Sequence, residues 1–171
     1  KQLLKTWSPV MNQLDKLNHL KNIIKQVPHE RFDLDLWRTI PGTDNMTFAQ
    51  LINSDANCCV IGWATADETF KRLNFMMLDG VPLYAPFRAN TGEPFTYEEL
   101  KTNVVYRGSE AVREIFGLNY EDVDHIIFES NYAFEDPIKD EIIDHINHVI
   151  DRVNIRPQDL DHLLSSSIVA L

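Results

Sequence analysis

The core of the fold is set by Cys58-Cys59-Val60-Ile61-Gly62-Trp63-Ala64-Thr65-Ala66, nine consecutive residues without a charge. Side chains this small and apolar do not suit a protein surface, so the stretch predicts a buried helix with Asn57 near its cap. The apolar pattern continues through Phe70 and Leu73, and we expect the helix to extend to these residues. Gly62 costs a helix about 1 kcal/mol relative to alanine, a cost that close approach of a neighbouring backbone offsets. A glycine that admits a ligand is the alternative.

The chain has two cysteines, Cys58 and Cys59, and they are adjacent. Neighbouring cysteines rarely reach the geometry of an unstrained disulfide, so we expect two buried free thiols. No CxxC pair or zinc-knuckle spacing is present, and the sequence places no base beside either thiol. We therefore predict no catalytic residue, no metal ion and no cofactor.

Helix signals flank this stretch on both sides. Ser8-Pro9 is typical of a helix start, and the apolar residues that follow recur at helical spacing until Pro28. Further helices are predicted from capping and glycine signals, and they open at Thr96, Ser109, Asn119, Asp136-Pro137 and Pro157. The helix at Asp136-Pro137, over residues 137–153, is the longest and carries an apolar stripe of isoleucines and valines.

One β-hairpin is predicted. Asp79-Gly80 is a type I′ turn signal between Phe75–Leu78 and Val81–Tyr84, and Pro82 restricts its strand to the edge of a sheet. The fold class is therefore mainly α (α+β): a compact multi-helix single domain over residues 1–171 with one small β-hairpin. We expect an inserted loop with one short helix at 38–57 and an exposed loop at 85–95.

Charge is distributed unevenly along the chain. The formal net charge is −10, and residues 119–171 hold twelve acidic residues against three basic ones. Such a balance opposes general binding to nucleic acid, which depends on clustered Lys and Arg. This acidic segment, residues 119–171, is either a solvated face or a functional surface. As a functional surface it would dock a basic partner or imitate the phosphates of DNA. The candidate docking residues are Glu121, Asp124, Asp140, Asp144 and Asp151.

The loop at 85–95 is a second candidate surface. Aromatic and arginine side chains supply much contact area for little lost entropy, which makes them frequent interface anchors. The alternative is that the aromatic residues only hold the loop against the protein. The candidate partner-binding residues are Tyr84, Phe87, Arg88 and Phe95.

Glu141, His145 and His148 follow one another at spacings that place them on one face of the long helix. The spacing is not that of the HExxH zinc motif, so a solvated, titrating face is favoured over a metal site. Protonation of the histidines near pH 6.5 would make the acidic face sensitive to pH.

No apolar run is long enough to cross a membrane, and the first residues lack the features of a signal peptide. The expectation is a cytoplasmic protein with no membrane partner. Walker, dinucleotide-binding, nucleophile-elbow and kinase motifs do not occur in the sequence.

Several short segments follow one another along the chain in an order that resembles a known protein family. A leucine-rich helix is followed by Val27-Pro28, Phe32-Asp33-Leu34-x-x-Trp37 and Cys59-Val60-Ile61-Gly62-Trp63-Ala64, and later by Ala111 to Leu118 and Phe128-x-x-x-Tyr132. This order resembles a family of small proteins of tailed bacteriophages and some bacteria, which carry an FDM..W segment before a helix with GWA or GHA. The resemblance covers roughly residues 14–153. Ser54-Asp55-Ala56-Asn57 stands where the family has its first cysteine, and residues 38–53 look like an insertion. The resemblance implies a phage context and no catalytic residue.

Three hypotheses for function follow. The first is a phage-type accessory protein that binds a host protein, inhibits or modulates a host enzyme or defence factor, and acts in the host cytoplasm. The second is a small enzyme or ligand-sensing domain that uses the Cys58–Ala66 helix and the His145/His148 face. The third is an acidic DNA mimic. A homo-oligomer is compatible with each of them.

Overall fold

The computed structural model describes residues 11–33, 35–87, 95–127 and 138–154. Its helices are α1 (Gln13–Gln26), α2 (Phe48–Ile52), α3 (Val60–Ala64), α4 (Glu68–Arg72), α5 (Tyr97–Thr102), α6 (Ser109–Phe116), α7 (Tyr120–Ile127) and α8 (Ile138–Val153). A 3-10 turn spans His29–Arg31, and the strands are β1 (Phe75–Leu78), β2 (Val81–Tyr84) and β3 (Tyr106–Arg107). This compact, mainly helical architecture with one small antiparallel sheet confirms the predicted fold class. None of the described helices is both long and apolar enough to span a membrane.

Helix α1 begins with a capping box. Asn12 is its N-cap and accepts a hydrogen bond from the backbone of Asp15, whose side chain accepts one in return from Asn12. This capping box fixes the start of α1 at Gln13. The helix start predicted at Ser8-Pro9 lies outside the described residues. The helix ends before Pro28 as predicted. Its buried face consists of Leu17, Leu20, Ile23 and Ile24.

The Cys58–Ala66 stretch is buried throughout, as predicted. The single helix expected from this stretch through Leu73 is instead two helices, α3 and α4. Cys59, not Asn57, is the N-cap of α3, and the helix stops at Ala64. The Thr65 hydroxyl donates to the carbonyl oxygen of Ile61, and Asp67 then caps α4 by accepting from the Phe70 amide. Side chains that bond to nearby backbone groups thus end one helix and begin the next.

Close backbone approach at Gly62 is confirmed. A Cβ atom placed on Gly62 would lie 1.7 Å from the carbonyl oxygen of Trp37. The Cys59 amide donates to the Leu36 carbonyl, and the backbone of Cys58 forms isolated β-bridges with Phe32 and Arg38. Backbone, not a ligand, therefore occupies the space beside Gly62. We call this contact, between the described residues of 31–38 (31–33 and 35–38) and Cys58–Gly62, the packing centre.

The predicted hairpin is confirmed, with β1 and β2 paired in register around Asp79 and Gly80, both at positive φ. The expected edge position of Pro82 is wrong, because β2 lies between β1 and β3. The Pro82 carbonyl accepts from the Gly108 amide, and the pairing of β2 with β3 stops there. Proline is tolerated in this central strand because no ladder bond needs its missing N–H.

The remaining helix signals hold where the structure describes them. Thr96 and Glu99 form the capping box of α5, and Gly117 ends α6 in the left-handed conformation. The helix predicted inside residues 38–57 is α2, capped by Thr47. Helix α8 packs against α1 and α7 through Ile142, Ile146 and Val149. The caps predicted at Asp136-Pro137 and Pro157 lie outside the described residues.

Candidate functional site: an acidic face on α7 and α8

A buried carboxylate joins the two helices of this face. The Asp122 side chain is 8% exposed and lies 2.6 Å from Nη2 of Arg152 and 3.4 Å from Nε2 of His145. Its backbone amide donates to the Asn119 side chain, which begins α7. Asp122 therefore turns away from the surface and fixes α7 against α8.

A lysine ties α8 to α1. Lys139 Nζ donates to the carbonyl oxygens of Lys25 and Val27, at 2.8 and 2.9 Å. These carbonyls lie at the C-terminal end of α1, where a cation also stabilises the helix through its interaction with the helix dipole. Farther along α8, Lys21 of α1 donates to the Asn147 side chain.

The five predicted acidic docking residues are all exposed, and together they form what we call the acidic face: Glu121, Asp124, Asp140, Asp144 and Asp151. Within the described residues, the carboxylates of Asp124, Asp140, Asp144 and Asp151 make no hydrogen bond or ion pair. The two described cations of α8, Lys139 and Arg152, are engaged by α1 and by Asp122. The face therefore keeps its negative charge.

Two of these acids, Asp144 and Asp151, occupy positions that disfavour α8, whereas Asp140 lies in the first turn, where the helix dipole favours an anion. Asp140 and Asp144 are four residues apart on one helix face, a spacing at which like charges repel. Asp151 lies in the last turn, where the helix dipole disfavours an anion. At 1.5 Å per residue, Asp140, Asp144 and Asp151 form a line about 16 Å long. The stability of α8 therefore does not explain the carboxylates at positions 144 and 151.

The two histidines of α8 face different surroundings. His145 is largely covered and lies against Asp122, whereas His148 is exposed, with Nδ1 2.7 Å from the Asp144 carbonyl oxygen. Both histidines line a shallow cavity of about 370 Å³, together with Glu121, Asp122 and Arg152. No group of three potential metal ligands comes together in the described parts of the chain. Glu141 is exposed and does not line this cavity.

The residues of the second candidate surface are only partly brought together. Tyr84 belongs to β2, not to the loop, and its ring stacks on Tyr106 at 6.4 Å between centroids. Phe87 is 36% exposed and lies 6.3 Å from Phe95, also between ring centroids. Arg88 lies outside the described residues, and the docking role of this loop stays a prediction.

The predicted burial of both thiols is confirmed. Burial raises the pKa of Cys58 to about 12, although the nearby Arg38 charge opposes the shift. Burial likewise raises the pKa of Cys59 to about 11. Few of these groups are thiolates at neutral pH, so neither is activated as a nucleophile.

Two arginines have structural roles that sequence reasoning missed. Arg38 donates to the carbonyl oxygens of Gly62 and Thr43 and to the Thr65 hydroxyl. The Arg31 guanidinium lies 5.3 Å from the Trp63 ring centroid. Arg31 also donates to four carbonyl oxygens, those of Leu51, Ile52, Ser54 and Ala56.

Comparison with known protein families, curated proteins and solved structures yields no match to this chain.

Proposed function

We propose that the chain acts by binding another protein, and that the acidic face docks a basic surface of that partner. The proposal is supported by the exposed carboxylates of Asp144 and Asp151, which lack a partner in the described residues although their positions disfavour α8. A complementary basic surface would offset that repulsion and accelerate encounter. From the resemblance to phage proteins, the partner we propose is a host enzyme or defence factor that the chain inhibits or modulates.

The frame beneath the acidic face suits such a role. Asp122, Arg152 and Lys139 connect α8 to α7 and α1, so the carboxylates project from helices that are held in place. A preorganised surface loses less conformational entropy on binding than a mobile one. The line of Asp140, Asp144 and Asp151 fits a row of basic side chains on the partner.

The test compares two triple variants with equal changes in net charge. The first is Asp140→Asn/Asp144→Asn/Asp151→Asn on the acidic face. The control is Asp35→Asn/Asp55→Asn/Glu114→Gln, three exposed acids elsewhere. Both are used with the wild-type chain to capture proteins from bacterial lysate, and association and dissociation rates are measured for the captured partner.

We expect the acidic-face variant to associate more slowly and with a weaker dependence on salt, while the control behaves like wild type. Equal loss in both variants would attribute binding to net charge alone, and unchanged rates in the first would refute the docking role. Release of the captured partner by duplex DNA would support the DNA-mimic hypothesis instead.

A further inference from the structure

A second site lies where the loop after Arg38 meets the β1–β2 turn. A cleft of about 340 Å³ opens between them, at the lower end of the range for ligand pockets. Ile40, Pro41 and Met77 supply its apolar walls, while Asp44 and Asp79 supply carboxylates. None of these residues belongs to the acidic face.

The cleft is fixed by a hydrogen bond between its two walls. The Gly80 amide donates to Oδ2 of Asp44 at 3.2 Å, which joins the loop to the turn. The Thr43 hydroxyl donates to the Ile40 carbonyl at 3.0 Å, and Met77 is 3% exposed. No rearrangement is needed to form the apolar walls or to place the Asp44 carboxylate.

The charge of the cleft favours a cation. Arg38 also lines it, but the guanidinium already donates to Gly62, Thr43 and Thr65. Neither Asp44 nor Asp79 has a cation within 4.0 Å among the described residues. One positive and two negative groups leave a formal excess of one negative charge, and apolar walls strengthen the field of that charge.

We infer that this cleft binds a lysine side chain of a partner protein. The four-carbon stem would lie against Ile40, Pro41 and Met77, as long cationic side chains lie on apolar surface elsewhere. The ammonium group would donate to the Asp44 oxygen not used by Gly80 and to Asp79. The inference stands independently of the acidic face, because it uses other residues and a different contact.

The probe is the peptide acetyl-Ala-Lys-Ala-amide, titrated into the isotope-labelled chain while amide NMR shifts are recorded. Acetyl-Ala-norleucine-Ala-amide, with the same four-carbon chain and no ammonium, and acetyl-Ala-Glu-Ala-amide are the matched ligands. We expect the lysine peptide to shift the amides of Gly42, Asp44 and Gly80, and the other two peptides to bind at least about threefold more weakly.

Two variants test the carboxylates with little risk to the fold. Asparagine at 79 suits a type I′ turn, and asparagine at 44 can still accept from Gly80. Asp44→Asn/Asp79→Asn should weaken binding of the lysine peptide at least about threefold, and Asp55→Asn should leave it unchanged. Equal binding of the norleucine peptide, tighter binding of the glutamate peptide, or no shift at these amides would overturn the inference.

Discussion

The packing centre and the acidic face place their charged groups in opposite settings. In the packing centre, Arg31 and Arg38 are largely covered and donate to carbonyl oxygens of the chain itself. On the acidic face, Asp144 and Asp151 are exposed and make no ion pair among the described residues. Covered charges require partners because desolvation is costly, whereas exposed charges are stable in water and remain available to another molecule. The first region therefore determines stability, and the second is free to serve binding.

The comparison predicts its largest effect at Gly62. Gly62→Ala places a methyl carbon against the Trp37 carbonyl oxygen, and a backbone atom cannot move aside as a side-chain end can. We expect a loss of about 3 kcal/mol or more in the free energy of unfolding, measured by denaturant titration. Gly42→Ala is the control: Gly42 has open space around it and, unlike Gly62, a positive φ, so only conformational strain of about 1–2 kcal/mol applies. Equal effects at both positions would contradict the close approach.

A smaller effect is expected at Arg31. Arg31→Met keeps an apolar stem near Trp63 but leaves several carbonyl oxygens of residues 51–56 without their donor. The expected loss of stability is about 2 kcal/mol, and Arg31→Lys should not restore it because an ammonium cannot span the same acceptors. Arg72→Met removes an exposed arginine paired with Glu68 and should cost less than about 0.5 kcal/mol. A loss as small in Arg31→Met would show that the covered arginine is dispensable.

The smallest effect is expected on the acidic face. Asp144→Asn/Asp151→Asn removes a like-charge contact and an anion near the end of α8. Stability should stay within about 0.5 kcal/mol of wild type and shift in the stabilising direction. Thermal and denaturant unfolding measure this change. A loss above about 1 kcal/mol would mean that these carboxylates serve the fold, and the contrast with the packing centre would fail.

The sequence predicted elements whose signals are local. The Asp79-Gly80 turn, the Thr96–Glu99 capping box and the helix end at Gly117 depend on residues within a few positions of one another. The burial of Cys58–Ala66 was also predictable, because a long uncharged run has few other places in a folded protein.

Features that depend on distant partners were not predictable. Arg31 and Arg38 appear in the sequence as ordinary surface charges, and only the folded chain brings carbonyl oxygens around them. Strand β3 has two residues, too few for a periodic pattern, and its pairing makes β2 the central strand. On the candidate site, exposure of the acids followed from the α8 stripe, but the burial of Asp122 depends on Arg152 and His145.

The segment between Thr39 and Asn57 leaves the packing centre and returns to the same point. The Thr39 amide donates to the Asn57 carbonyl, and the Asn57 amide donates to the Thr39 hydroxyl, both at 2.9 Å. The two ends are thus held together, and the entropic cost of closing a loop rises slowly with its length, by about 0.6 kcal/mol for each doubling. Evolution can therefore lengthen or shorten the exposed parts of the segment while Gly62 and its neighbours keep their positions, provided that the buried Leu51 and the carbonyl oxygens that bind Arg31 and Arg38 are retained.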